Sequence, residues 1–356
     1  MELTIAFWRR WGAAYLEQEA ASVLAGDSPL ETADALLRNL ISAERENYRD
    51  HFEKELSAAE INRYKEWLTR YKIGEPLPYI TGEADFFGLR LAVGPGVLIP
   101  RPDTETLVLA GLSVLQKIAC QQATAQSSSL KAAGSEASPF LALEPCAGSL
   151  AVSLALDLLY AEWRAEAGPV GRFPALQIVA GDLSAKALFY AKINLRRHQR
   201  ADTRICLQQA DLFFTNPNHR GADATPAVSK GIGEAGLNGC LAPASAWLII
   251  ANPPYIERST LADLDPSVTA HEPLLALDGG ADGLHFYRRL AREAKDVLRP
   301  GGFIVVEHGY NQGEAVASVF RDAGDWVQAE TLPDLAGRDR VYRACLQPAQ
   351  GVSGAL

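Results

Sequence analysis

The segment Asn252-Pro253-Pro254-Tyr255 carries the residues best suited to do chemistry. Two consecutive prolines remove two backbone donors and stiffen the turn. The side chain of Asn252 and the backbone carbonyl of Pro253 are left as acceptors. Two acceptors side by side suit a planar –NH2 group, since each takes one hydrogen and the nitrogen is aimed outward. The Tyr255 ring can then stack on the planar face. The plainer reading is a rigid turn after a buried strand, and four specific residues at a strand end argue against it.

Three other segments could hold a ligand beside it. Glu144-Pro145-Cys146-Ala147-Gly148-Ser149-Leu150 is a small-residue loop that opens a helix, and such a loop lets a ligand approach the backbone closely. By itself it reads equally well as an ordinary tight turn. Asp182 closes the run Ile178-Val179-Ala180-Gly181-Asp182. An acid at that place can accept hydrogen bonds from both ribose hydroxyls of an adenosine-containing ligand. It can also cap a helix beginning near Ser184. Asp211, in Gln209-Ala210-Asp211-Leu212-Phe213, is placed to meet an adenine edge and face, or is one more strand-end acid. From Glu144 to Asp182 is 182 − 144 = 38 residues, longer than the roughly 20 of dinucleotide binders. The surplus reads as loop around 167–174.

These residues need a frame that brings them together. From Phe140 onward strand and helix signals alternate. Strands are expected at 141–144, 177–182, 204–210, 247–251, 303–307, 326–332 and 340–346, and helices at 149–161, 184–198, 283–299 and 312–323. Alternation of this kind implies a doubly wound, mostly parallel seven-stranded sheet with ligands at the carboxyl ends of its strands. Each residue singled out above follows a strand.

The domain plan follows. Residues 1–75 read as a helical bundle that could dock a partner. Ser28-Pro29-Leu30-Glu31 and Ser57 to Glu60 both have the pattern of a capping box. Residues 76–110 read as a β-hairpin linker: Phe87, Leu89, Leu91 and Val93 alternate, Gly94-Pro95-Gly96 turns, and 97–99 returns. A flexible insertion is expected over 111–139, most biased in composition at 121–139. The catalytic domain follows at 140–347, with a second flexible insertion at 216–245, and a tail at 348–356.

Composition narrows the partner. The 356 residues are 48% hydrophobic and 22% charged, with a formal net charge of −9. An acidic chain argues against an extended phosphate-binding face, because nucleic-acid affinity comes mainly from clustered Lys and Arg. Five scattered cysteines without a CxxC pair indicate neither a disulfide framework nor zinc, and a reducing compartment fits. No apolar run approaches membrane-spanning length and no signal-peptide pattern opens the chain. A cytoplasmic monomer is expected, with no metal.

Taken together these motifs resemble a known family. Asn252-Pro253-Pro254-Tyr255 is similar to the Asn/Asp-Pro-Pro-Tyr motif of class I S-adenosylmethionine-dependent methyltransferases that act on planar amino groups. Three further stretches resemble the release-factor glutamine methyltransferases (the HemK type). One runs from Pro78-Tyr79-Ile80-Thr81-Gly82 and Phe86 to Ile99-Pro100-Arg101-Pro102-Asp103-Thr104-Glu105. The second is Glu272-Pro273-Leu274-Leu275-Ala276-Leu277-Asp278-Gly279-Gly280-Ala281-Asp282-Gly283-Leu284. The third runs from Arg299-Pro300-Gly301-Gly302 to Glu307 and Gly309, then Arg338-Asp339-Arg340-Val341.

The resemblance implies methyl transfer from S-adenosylmethionine to the glutamine of the Gly-Gly-Gln motif of peptide chain release factors. It implies that Asn252, Pro253 and Pro254 hold the substrate amide with Tyr255 packed against it. Asp182 would bind ribose, Asp211-Leu212 would flank adenine, and Glu144, Cys146, Ala147, Gly148, Ser149 and Leu150 would hold the methionine end, with Asn252 also beside the cofactor. Three rivals share parts of the pattern: a methyltransferase for adenine in nucleic acid, one for a ribosomal-protein glutamine, and a non-catalytic release-factor-binding relative. The family's loop is usually Asp-Leu-Gly-Thr-Gly-Ser-Gly. Here Cys146 replaces its first glycine and Leu150 its last. Either the loop takes a different path and still binds, which is the favoured expectation, or the two side chains fill part of the pocket.

Overall fold

The computed structural model describes residues 3–18, 28–44, 46–128, 138–168, 173–213 and 244–348. The chain divides into two compact units. The smaller comprises Met1–Ala84, Val93–Pro95 and Leu264–Glu272, and the larger Asp85–Ala92, Gly96–Asp263 and Pro273–Leu356.

In the smaller unit α1 (Ile5–Glu17), α2 (Pro29–Leu40), α3 (Ala58–Lys72) and α4 (Leu77–Thr81) enclose one core. Leu36, Leu37, Tyr64 and Leu68 are fully buried in it, at the i, i+3, i+4 spacing that puts an apolar stripe on one helix face. The box at Ser57 is complete: Ser57 Oγ accepts from Glu60 N and Glu60 Oε2 accepts from Ser57 N. The box expected at Ser28 does not close. Ser28 is the N-cap and Pro29 the first helical residue, but the Ser28 side chain makes no cap hydrogen bond.

The hairpin exists in a different register. β1 (Glu83–Phe86) pairs with β2 (Leu89–Ala92), and the turn falls at Phe87-Gly88 rather than at 94–96. Phe87 (φ 49°) and Gly88 (φ 72°) are both left-handed, the signature of the tightest two-residue hairpin turn. Residues 97–99 form no strand.

The larger unit opens with α5 (Thr104–Ser128), which corrects the insertion expected over 111–139. The chain is helical as far as Ser128, because Leu107, Val108, Val114, Leu115, Ile118 and Ala119 recur at helical spacing and are buried. Residues 129–137 lie outside the described residues, as do 214–243 of the second insertion and 349–356 of the tail.

The sheet follows: β3 (Phe140–Pro145), α6 (Ala151–Ala167), β4 (Leu176–Asp182), α7 (Ala185–His198), β5 (Ile205–Gln209) and β6 (Ala246–Ala251). Then come the short α8 (Pro266–His271), which belongs to the smaller unit, α9 (His285–Val297), β7 (Leu298–Glu307), α10 (Gly313–Ala323), β8 (Trp326–Pro333) and β9 (Asp339–Leu346). The strand order is β5-β4-β3-β6-β7-β9-β8. β5, β4, β3, β6 and β7 run parallel, and β9 is antiparallel to both its neighbours. Central strands covered on both faces read as continuous apolar runs, and Leu248-Ile249-Ile250-Ala251 and Ile304-Val305-Val306 are wholly buried. The surplus between Glu144 and Asp182 enters α6, which runs to Ala167 rather than ending at 161. No described helix is long and apolar enough to cross a membrane.

Candidate active site

A cavity opens at the carboxyl ends of β3, β4 and β6, where the strand order reverses. Glu144, Cys146, Ala147, Gly148, Ser149, Asp182, Asp211, Leu212, Asn252 and Pro254 all lie on its wall. Val97, Arg101, Thr104, Leu183, Leu275 and Phe286 are among the other residues on it. Leu150, Pro253 and Tyr255 are not on the wall. Leu150 is wholly buried in the core, and Pro253 and Tyr255 follow Asn252 in the turn after β6.

Asp182 is held rather than free. Its Oδ2 accepts from Gly148 N and its Oδ1 from Ser184 N, each at 2.8 Å. A carboxylate has about four lone-pair sites, so two remain for hydroxyl donors in the cavity. Burial pushes the Asp182 carboxyl up, and the amides of Ser184 and Gly148 draw it back. The helix-cap alternative is corrected: Ser184 is the N-cap of α7, with its side chain accepting from Ala187 N. Asp211 Oδ1 lies 2.6 Å from Arg289 Nη1, and Arg289 also meets Glu293 at 2.8 Å. That pair anchors the loop end carrying Leu212, whose φ is 56°.

The loop 144–150 does not escape the backbone that glycine would favour. Cys146 (φ 65°), Gly148 (φ 53°) and Leu150 (φ 73°) are all left-handed. A left-handed non-glycine residue costs about 1–2 kcal/mol, so Cys146 and Leu150 hold glycine-type angles under strain. The crowding outcome is met only in part, since Cys146 faces the cavity while Leu150 turns into the core. The two positions therefore separate on mutation. Cys146→Gly is expected to be close to neutral in urea unfolding, because relief of strain offsets glycine's added chain entropy of about 0.4–1 kcal/mol. Leu150→Gly removes a fully buried side chain, at about 2–5 kcal/mol by the Leu→Ala scale, and is expected to destabilise even after strain relief. A Leu150→Gly protein as stable as wild type would contradict this packing.

Glu144 is buried at the end of β3, and its Oε2 accepts from both the Ser153 amide, at 3.0 Å, and the Ser153 hydroxyl. Burial pushes its carboxyl up to about 8 from 4.5, with the Ser153 bonds opposing. The folded state therefore binds more protons than the unfolded one between those values. Stability is expected to fall as pH rises through that window, by on the order of 3 kcal/mol. Glu144→Gln should flatten that part of the profile, as read by thermal or urea unfolding at pH 5 and pH 8. Parallel profiles for the two proteins would contradict it.

Around the Asn252 turn the side chains interlock. Asn252 Nδ2 donates to Thr104 Oγ1 at 3.2 Å, and Thr104 is the buried first residue of α5. Thr104 and Asn252 also stand near the Glu307 carboxylate at the end of β7 and draw its carboxyl down against burial, and Tyr255 Oη lies 3.5 Å from Glu307 Oε1. The Tyr255 backbone is clamped from below, its carbonyl accepting from Gln312 Nε2 at 2.9 Å. Gly279 and Gly283 let the 278–284 loop press on that backbone: a Cβ on Gly279 would lie 2.7 Å from Tyr255 C, and one on Gly283 2.5 Å from Tyr255 O. Thr104 and Glu307 fall within the stretches that resemble the family, but no sequence signal assigned either of them a role at the site. Their place next to Asn252 depends on three segments far apart in the chain.

A doubly wound sheet closed by an antiparallel β9, with an acid after β4 and Asn-Pro-Pro-Tyr after β6 on one cavity, defines a class I methyltransferase. The methyl donor of that class is S-adenosylmethionine. A family profile described as the PrmC N-terminal domain matches residues 8–82. The release factor glutamine methyltransferase of Moorella thermoacetica is 33% identical over 321 residues, covering 89% of this chain and 92% of its own length. Its counterpart in Caulobacter vibrioides is 30% identical over 348 residues, covering 98% of this chain and 99% of its own. The chain belongs to the release factor glutamine methyltransferase family.

Proposed function

We propose that this protein transfers a methyl group from S-adenosylmethionine to the side-chain amide nitrogen of the glutamine in the Gly-Gly-Gln motif of peptide chain release factors. One observation carries the reading at the level of the site. The Asn252 amide nitrogen donates to Thr104 Oγ1 at 3.2 Å and Asn252 lines the cavity, which leaves its carbonyl oxygen as the group to accept from a substrate –NH2.

The residues fit the methyl donor. Asp182 retains two acceptor sites for ribose hydroxyls, and Asp211-Leu212 lies beside it for adenine. The backbone at Gly148 is open, since a Cβ there would meet nothing nearer than Val97 Cγ2 at 3.9 Å, so the methionine end can approach the loop 146–149. S-adenosylmethionine supplies an electrophilic methyl on a sulfonium. The protein's own residues supply position. The nitrogen of an amide is a poor nucleophile because its lone pair is delocalised into the carbonyl. Asn252 Oδ1 and the Pro253 carbonyl accept the two amide hydrogens, hold the nitrogen in place and stabilise the positive charge that develops there. Tyr255 packs behind the turn, and no base is required beforehand, because the proton leaves after the nitrogen has become cationic.

The reading includes a cytoplasmic location, action as a monomer, a protein partner and no direct contact with nucleic acid. With radiolabelled S-adenosylmethionine, label is expected in purified release factor and not in DNA or RNA offered alongside. Label in nucleic acid would overturn it.

A further inference from the structure

We infer that Glu307 is a positioning residue for the reaction: with Thr104 it fixes which way round the Asn252 amide faces. An asparagine side chain has a donor end and an acceptor end of nearly the same shape, and its orientation follows from its neighbours. An ionised carboxylate only accepts. With Glu307 ionised near it, Asn252 turns its –NH2 inward, where Nδ2 donates to Thr104 Oγ1 at 3.2 Å and favours the charged Glu307 carboxylate. The Thr104 hydroxyl accepts from Asn252 and has its own proton free to give to Glu307. The carbonyl of Asn252 is thereby forced toward the cavity, the orientation that a substrate –NH2 requires. Turned the other way, Asn252 would present donors to donors.

Glu307 is 1% exposed, and its Oε2 has no hydrogen-bond partner among the described residues. A buried orphan oxygen costs free energy, about 1–3 kcal/mol or more for a charged group. A glutamate serving only the packing of β7 would do better as a glutamine or leucine. The groups around it are few. Tyr255 faces it from the turn after β6, Tyr287 of α9 donates to its backbone carbonyl at 2.7 Å, and Arg340 of β9 and Asp103 before α5 act on its charge with opposite sign. Burial pushes the imidazole of His308, the next residue, down, and its Nδ1 lies 2.9 Å from the Gly309 carbonyl. Burial is the largest influence and pushes the Glu307 carboxyl up to about 7. Protonated, Glu307 becomes a donor and permits the wrong orientation of Asn252. Turnover therefore gains an acidic limb that belongs to Glu307.

The inference rests on the glutamine-methylation reading, and the test separates the two. Turnover of release factor is followed from pH 5.5 to 9 for wild type, Glu307→Gln, Thr104→Val and Thr104→Ser, with cofactor affinity by calorimetry and melting temperature alongside. Glu307→Gln and Thr104→Val should lower kcat roughly ten- to a hundredfold, the scale known for outer groups that orient metal ligands. KM for release factor and affinity for S-adenosylmethionine should stay within a few-fold. Thr104→Ser should restore kcat, and the acidic limb should vanish in Glu307→Gln. Wild-type kcat in both Glu307→Gln and Thr104→Val, an acidic limb that survives in Glu307→Gln, or a fall in cofactor affinity and melting temperature parallel to the fall in kcat, would overturn the positioning role while leaving the methylation reading intact. Absence of methylation by wild type itself would withdraw both.

Discussion

Asn252→Ala is expected to lower kcat by about 10²–10³, the cost of removing one positioned hydrogen-bonding group from a water-poor site, about 2.7–4 kcal/mol of barrier. The loss should fall on kcat, because the Asn252 carbonyl is worth most when the substrate nitrogen becomes cationic. Affinity for S-adenosylmethionine should stay within a few-fold, since Asp182 and the loop 146–149 are untouched. The backbone of the turn should also hold, being fixed by Pro253, Pro254 and the Gln312 bond to the Tyr255 carbonyl. The measurement is single-turnover methylation of release factor with saturating cofactor. Turnover at the wild-type rate would remove Asn252 from the reaction.

Asp182→Ala is the second large effect, and it should appear in binding. Two charge-assisted hydrogen bonds to ribose hydroxyls, at roughly 1.5–3 kcal/mol each, imply a loss of about 10²-fold or more in affinity for S-adenosylmethionine. The same carboxylate accepts from Gly148 N and Ser184 N, so the substitution also strands two backbone donors and loosens the loop at the methionine end. Both consequences weaken the cofactor. Asp182→Asn keeps acceptors for some of these bonds and should lie between wild type and alanine. Calorimetry on the three proteins gives the order directly. Equal affinities, with only the melting temperature lowered, would make Asp182 a purely structural residue.

Much of the site was legible in the sequence, because its residues stand at fixed places on a repeating unit. Once strands and helices alternate, strand ends must carry the ligand. Glu144, Asp182, Asp211 and Asn252 could be found in this way, and they do share one cavity. What stayed hidden depends on the third dimension. Nothing in Glu307 or Thr104 marks them as neighbours of Asn252, since their contact joins the end of β7, the start of α5 and the turn after β6. The loop 144–150 was hard to read for a different reason. Missing glycines suggested a changed path, yet Cys146 and Leu150 hold left-handed angles, with Leu150 anchored by complete burial of its side chain. Tertiary packing outweighed local preference there. In α5 packing and propensity agree: a continuation rich in Ala and Gln, both good helix formers, extends the helix set by the buried stripe that precedes it. The hairpin shows the converse. Gly94-Pro95-Gly96 looks like the stronger turn signal, but only Phe87-Gly88 leaves two strands of equal length on either side.

The most direct test of the account is mass spectrometry of release factor after incubation with this protein and S-adenosylmethionine. A gain of one methyl group on the peptide containing the Gly-Gly-Gln motif is predicted, localised by fragmentation to the glutamine side chain and absent when Asn252→Ala replaces the enzyme. An unmodified Gly-Gly-Gln peptide under conditions where calorimetry shows the cofactor bound, or a methyl group on another residue, would contradict it.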